Sequence, residues 1–251
     1  MTRALRGAAI PLTVVLLWEA LSRAGALPLD SLSRPSLIAA AGLRGVADGS
    51  ILLATWQTLE AGAAGLVSAV GFGVLGGMIL GLSPRIDRVV GPTVDALRPV
   101  PAVALIPLSL LMFGFGLRME AAVVAFACVW PIRLVTASAV RGIEPRLLEV
   151  ARSLEMSYGA QLRKIVFPAA LGRIIVGVRI AVGIALIVAV TVEIVLNPRG
   201  LGYGMMAAQQ SMHPDLMYAE LGWLGVLGWL LNALLTRAVR RWPGALPQGQ
   251  S

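Results

Sequence analysis

Charge, cysteine, histidine and lysine are all scarce in this chain. Only 14% of its 251 residues are charged, against about a quarter in a soluble globular domain. With 57% hydrophobic residues and a mean hydropathy of +0.82, the composition is that of a polytopic membrane protein. The single cysteine, Cys128, stands in an apolar run and excludes an intrachain disulfide. His213 is also alone, so no His/Cys cluster could hold zinc. Lys164, the one lysine, stands in Leu-Arg-Lys-Ile, whereas a phosphate-cradling loop needs Gly-Lys followed by Ser or Thr. There is no G-x-S-x-G elbow and no H-E-x-x-H pair. Serine-hydrolase and metallohydrolase chemistry are therefore not expected, and no P-loop or metal centre lies in this chain. The net charge of +8 does not indicate nucleic acid. Its basic residues sit at the ends of apolar runs and form no stripe with interleaved aromatics.

What is present is hydrocarbon in membrane-sized pieces. An all-α integral membrane protein with six transmembrane helices fits the apolar runs, each needing about 20 residues. The spans are expected at about 7–22, 61–82, 89–115, 119–140, 169–196 and 218–235. The start resembles a signal peptide but lacks a convincing small-residue cleavage site, so it reads as a retained first helix. Residues 37–46 read as a short surface helix. The third run is interrupted by Pro92, Pro99, Pro101 and Pro107; such breaks are tolerated where backbone is buried in protein or lines a cavity. Gly65, Ala69, Gly73, Gly77 and Gly81 form a small-residue stripe for close helix approach, within the chain or between subunits. The segment Asn-Pro-Arg-Gly-Leu-Gly-Tyr at 197–203 is expected to turn the chain between the last two spans. One transmembrane domain, 1–251, is expected, with its membrane core at about 55–240.

Orientation follows from lysine and arginine. Thirteen fall on the side of the N-terminus, five on the opposite side, and three within spans. The positive-inside rule then puts both termini and the loop at 144–168 in the cytoplasm of a cell-membrane protein. That loop is a polar island. Pro145 suits the first position of a helix. Leu147, Leu148, Ala151 and Leu154 recur at helical spacing, with Arg146, Glu149, Arg152 and Ser153 on the other side. Ser157 is placed to cap a second short helix through Leu162, Ile165 and Val166, and Pro168 marks the next span. Within the spans stand Arg133, Arg179 and Glu193. Charges there are costly, and these three are candidates for a translocation pathway, for snorkelling or for buried ion pairs.

The polar island resembles the cytoplasmic signature of inner-membrane permeases of binding-protein-dependent ABC importers. That signature runs Glu-Ala-Ala, three residues, Gly, nine residues, Ile, one residue, Leu-Pro. The matching positions are Glu149, Val150, Ala151, then Glu155, then Ile165, Phe167 and Pro168. Flanking patterns are similar to the nitrate, sulfonate, taurine and bicarbonate group: Leu97-Arg98-Pro99-Val100-Pro101, Ala104-Leu105-Ile106-Pro107-Leu108, Phe113-Gly114, Gly177-Val178-Arg179-Ile180-Ala181 and Gly200-Leu201-Gly202-Tyr203. The resemblance implies a coupling-helix loop between spans four and five that docks in a separate cytoplasmic ATPase. Leu147, Leu148, Glu149, Ala151, Leu154, Glu155, Ile165 and Pro168 would form that coupling site. It implies two ATPase subunits that hold ATP and Mg, a second permease copy, and an external solute-binding protein received by the outer loops. This chain would carry no cofactor and no catalytic residue, and would pass a small solute, by resemblance a small anion, inward by alternating access.

Three positions depart from the pattern. Glu155 replaces the signature Gly, a residue favoured for its positive φ. Either the turn stays in ordinary φ/ψ space or the contact with the ATPase is modified. Val135 stands where the group usually has Asn, and Ala61 where it often has Arg. The competing reading is an ATP-independent secondary transporter or channel, which inverted internal repeats would support; none is evident. A membrane-embedded enzyme or scaffold is a third class, and no acid/base or metal constellation supports it.

Overall fold

A chain of apolar runs can satisfy its backbone in lipid only as helix or closed barrel. All regular structure among the described residues is helical. The computed structural model describes residues 2–26 and 32–240; Arg241, one of the thirteen inner basic residues, lies outside them. In chain order the helices are α1 (Thr2–Arg23), α2 (Pro35–Ala47), α3 (Ser50–Leu82), α4 (Pro84–Leu97), α5 (Ile106–Phe113), α6 (Leu117–Arg141), α7 (Pro145–Ser153), α8 (Tyr158–Gln161), α9 (Phe167–Val195), α10 (Gly200–Gln210) and α11 (Pro214–Arg240). A 3-10 turn, Ala102–Leu105, precedes α5, and a π turn, Leu162–Val166, joins α8 to α9.

Four helical runs are long and apolar enough to cross a membrane: Ser50–Leu82, Leu117–Arg141, Tyr158–Gln210 and Pro214–Ala238. A fifth is the bent pair of α4 with Ala102–Phe113, whose halves meet at 85°. The expected first span falls on α1, a helix of 22 residues. Glu19 ties α1 to the start of α2. Its carboxylate accepts from the Ser36 N–H at 3.0 Å and hydroxyl at 2.9 Å, and from Arg23 at 2.7 Å.

The chain forms two compact units, one of Met1–Thr58 with Glu193–Leu227, the other of Leu59–Val192 with Gly228–Ser251. In the second, the small-residue stripe finds its partner inside the chain. A Cβ added to Gly65, Gly73, Gly77 or Gly81 would lie 2.5–2.9 Å from Val124, Ile132, Thr136 or Val140. Each pair differs by 59 in number (124 − 65, 140 − 81), so α3 and α6 run parallel along one seam. Ala69, Val124, Cys128 and Ile132 on this seam are buried with Ala181, Ala185 and Ala189 of α9.

The parallel pair fixes what lies between it. A chain that crosses twice in one direction must return in between, and only α4 and α5 are available. At 1.5 Å per residue the legs are about 20 Å each. Joined at the 85° bend, they span about 29 Å, close to the ~30 Å hydrocarbon core. The bend falls at Pro99 and Pro101, where two missing N–H donors prevent a continuous helix. Pro84 opens α4 behind a Ser83 cap, whose hydroxyl accepts from the Ile86 N–H at 3.4 Å. Two ion pairs hold α4 on α6: Asp87 with Arg141 at 2.7 Å and Asp95 with Arg133 at 2.6 Å. Both pairs sum to 228, which is the signature of an antiparallel contact.

Candidate functional site

The polar island begins as the spacing predicts and then divides its apolar residues. Within α7, Ala151 is fully buried, and half-buried Leu148 packs against the cluster of Val166, Ala170 and Ile174. Leu147, Val150 and Leu154 are exposed at 44%, 56% and 68%, followed by Tyr158 at 69%. So the expected single face of Leu147, Leu148, Ala151 and Leu154 is two faces. One anchors α7 to its own subunit; the other presents apolar surface outward, beside exposed Arg146, Glu149, Arg163 and Lys164.

The turn after α7 does not stay in ordinary φ/ψ space, contrary to the first of the two alternatives for Glu155. Glu155 has φ +48°, and the Met156 N–H donates to the Ala151 carbonyl at 3.1 Å. That six-to-one bond with a left-handed residue before it is a Schellman ending, in which the left-handed position favours glycine. Glu155 therefore sits in a left-handed conformation that favours glycine, with a side chain added. Ser157 caps the following turn as expected, its hydroxyl accepting from the Ala160 N–H at 3.4 Å. The Gln161 amide donates to the Met156 carbonyl at 3.0 Å. From there the π turn runs straight into α9 past half-buried Ile165 and exposed Pro168. The second short helix is thus the leading end of the next span.

The three charged candidates within spans go to three different places. Arg133, 8% exposed, is engaged by Asp95. Glu193, 1% exposed, belongs to the first unit and accepts from the Gly202 N–H at 2.8 Å. The Gly200 N–H donates to Gln57 at 2.9 Å and the Leu201 N–H to Thr58 at 3.0 Å. Three side chains thus satisfy the first three free donors of α10. Gly200, at φ +88°, has no room for a Cβ against the Glu193 carboxylate. The expected turn at 197–203 is therefore replaced by a buried helix start, with Asn197 and Leu201 at 1% and 0% exposure and Tyr203 still exposed. Arg179 is exposed and donates to Thr236 at 2.9 Å and Asn232 at 3.5 Å.

Sequence reasoning missed Asp87, Asp95, Gln57 and Thr58. The acids had a signal: Asp87 and Asp95 are eight apart (95 − 87), as are Arg133 and Arg141 (141 − 133). The caps had none, because Gln57 and Thr58 lie more than a hundred residues from the Gly200 and Leu201 N–H groups they serve.

Residues 70–242 match the family described as binding-protein-dependent transport system inner membrane component. The chain is 30% identical over 252 residues to the bicarbonate transport system permease protein CmpB of Synechococcus elongatus, covering 95% of this chain and 90% of that one. It is 29% identical over 209 residues to the taurine transport system permease protein TauC of Escherichia coli, covering 82% and 74%. A solved structure of the MetNI methionine ABC transporter in inward-facing conformations aligns with TM-score 0.61 and 22% identity, over 74% of this chain and 92% of that one. At that identity the likeness is one of fold.

Proposed function

The chain belongs to the binding-protein-dependent transport system inner membrane component family, the permease subunits of ABC importers, and on that premise we propose that α7 and α8 are its coupling element. In this reading the outward residues Leu147, Val150, Leu154 and Tyr158 enter a groove of a cytoplasmic ATPase, while Leu148 and Ala151 carry the motion into α9. The carrying observation is that split: an apolar face left exposed on a helix that is pinned from behind. Docking of this kind uses apolar anchors at helical spacing. Exposed Glu149 and the cations Arg146, Arg163 and Lys164 form the polar rim. Glu155 and Pro168 fix the two ends.

The working assembly is two permease copies, two ATPases that hold ATP and Mg, and an external solute-binding protein. Both termini are cytoplasmic, which the excess of inner basic residues supports. The transported solute is a small anion, as the bicarbonate and taurine permeases among the relatives suggest. The engagement of Arg133 by Asp95 and of Glu193 by Gly202 favours positioning roles for these two rather than solute contact.

Copurification tests the proposal. Leu154→Glu and Leu147→Glu should each release the ATPase by placing a charge in an apolar groove, without disturbing the fold. Wild type should retain it and import solute only with ATP. Uptake driven by an ion gradient with no ATPase present would overturn it.

A further inference from the structure

Within the second unit, α9 and α11 run antiparallel and leave a groove of about 300 Å³ between them. It is polar at one end only. There Arg179 meets Thr236 and Asn232, which are both neutral. Among the described residues Arg179 forms no ion pair. An exposed cation near the end of a span without a counter-charge attracts an anion. Away from Arg179 the walls are hydrocarbon, Val182, Leu186 and Ile187 on α9 and Leu231 on α11, with Leu235 beside the polar end. From Arg179 to Ile187 the wall is about 12 Å long at 1.5 Å per residue. Two glycines hold it open. A Cβ on Gly183 would meet nothing within 4 Å, and one on Gly228 would reach only Leu186 at 3.5 Å.

We infer that this groove holds an anionic phospholipid, its phosphate on Arg179, Asn232 and Thr236 and an acyl chain laid over Gly183 toward Ile187. The shape excludes a conduit. A polar solute entering at Arg179 would face only hydrocarbon beyond it, whereas a one-headed amphiphile matches both ends. The polar end also lies at interfacial depth, beside exposed Arg237 and near the end of α11. Only the choice of the cytoplasmic leaflet rests on the orientation proposed for the chain.

The test uses the full chain in detergent micelles, titrated with phosphatidylglycerol or phosphatidylcholine of identical acyl chains and followed by thermal unfolding. That measurement is blind to leaflet and to ATPase docking, so its failure is distinct from failure of the coupling proposal. Wild type should prefer phosphatidylglycerol by about fivefold, the worth of one arginine near a headgroup. Arg179→Lys should keep most of that preference. Arg179→Gln, which can still donate to Thr236, should lose it. Gly183→Leu fills the tail slot and should weaken both lipids while leaving the ratio; should Arg179→Gln not fold, Gly183→Leu carries the test. An unchanged ratio in Arg179→Gln, or unchanged binding in Gly183→Leu, would overturn the inference. So would binding of decanesulfonate that depends on Arg179 when phosphatidylglycerol has no effect, since that would make the groove a solute site.

Discussion

Helix α6 is held on two sides by opposite physics. Against α3 the contact is mainly steric: four glycines let the backbones approach until no methyl group fits, and Arg141 adds a hydrogen bond to the Leu80 carbonyl at 3.5 Å at its end. Against α4 it is electrostatic, two ion pairs eight residues apart. Lipid supplies no hydrophobic drive for helix association, so close packing or polar bonding must do the work. The difference lies in reversibility. A glycine seam is either closed or broken, whereas an ion pair with one exposed partner can exchange for water and re-form. The α3–α6 seam is therefore the fixed frame of the second unit, and α4 is its releasable element.

The largest test of that contrast is Gly77→Val. Its Cβ would sit 2.5 Å from Thr136 and 2.7 Å from the Arg133 carbonyl, and backbone cannot yield. A loss of about 3 kcal/mol or more is expected, seen as loss of monodisperse protein on size exclusion. Gly71→Ala on the same helix, with nothing within 4 Å, should be neutral or stabilising by up to about 1 kcal/mol.

Next comes the inner rung. Asp95→Asn leaves the buried Arg133 cation without its carboxylate, at a cost of about 2 kcal/mol in thermal unfolding. Exchange of the two charges, Asp95→Arg with Arg133→Asp, should recover part of it. Full additivity of the two single changes would mean that the pair does not interact.

The loop after α6 relies on neither device but on backbone geometry. Glu155→Gly removes a side chain from the left-handed region and should stabilise the protein by about 1 kcal/mol. A destabilised variant would mean that the Glu155 side chain makes a contact of its own.

The smallest effect is at the outer rung. Arg141 and Asp87 are half-exposed, at 51% and 33%. Asp87→Asn should cost only about 0.5 kcal/mol, and salt should erase that difference.

Much of this was legible in the sequence because local rules governed it. Pro99 and Pro101 announced the break, Ser157 the cap, and Gly65 to Gly81 a close approach. What the stripe touches was not legible, since small residues do not say which helix they face. Period 3.6 grouped Leu147, Leu148, Ala151 and Leu154, but a segment apolar on both sides does not reveal which side its own subunit buries. Residues 197–203 read as a turn from their Asn, Pro and Gly. In the fold, those glycines instead clear space for Glu193 and bare the N–H groups of α10.

The central claim, that a partner works this gate through the outward face of α7 and α8, is tested most directly by cross-linking. With Leu154→Cys as the one exposed thiol, Cys128 being buried, a short cross-linker in membranes of the assembled transporter should join this chain to the ATPase. Labelling of that thiol from outside intact cells, with no ATPase joined, would contradict the account.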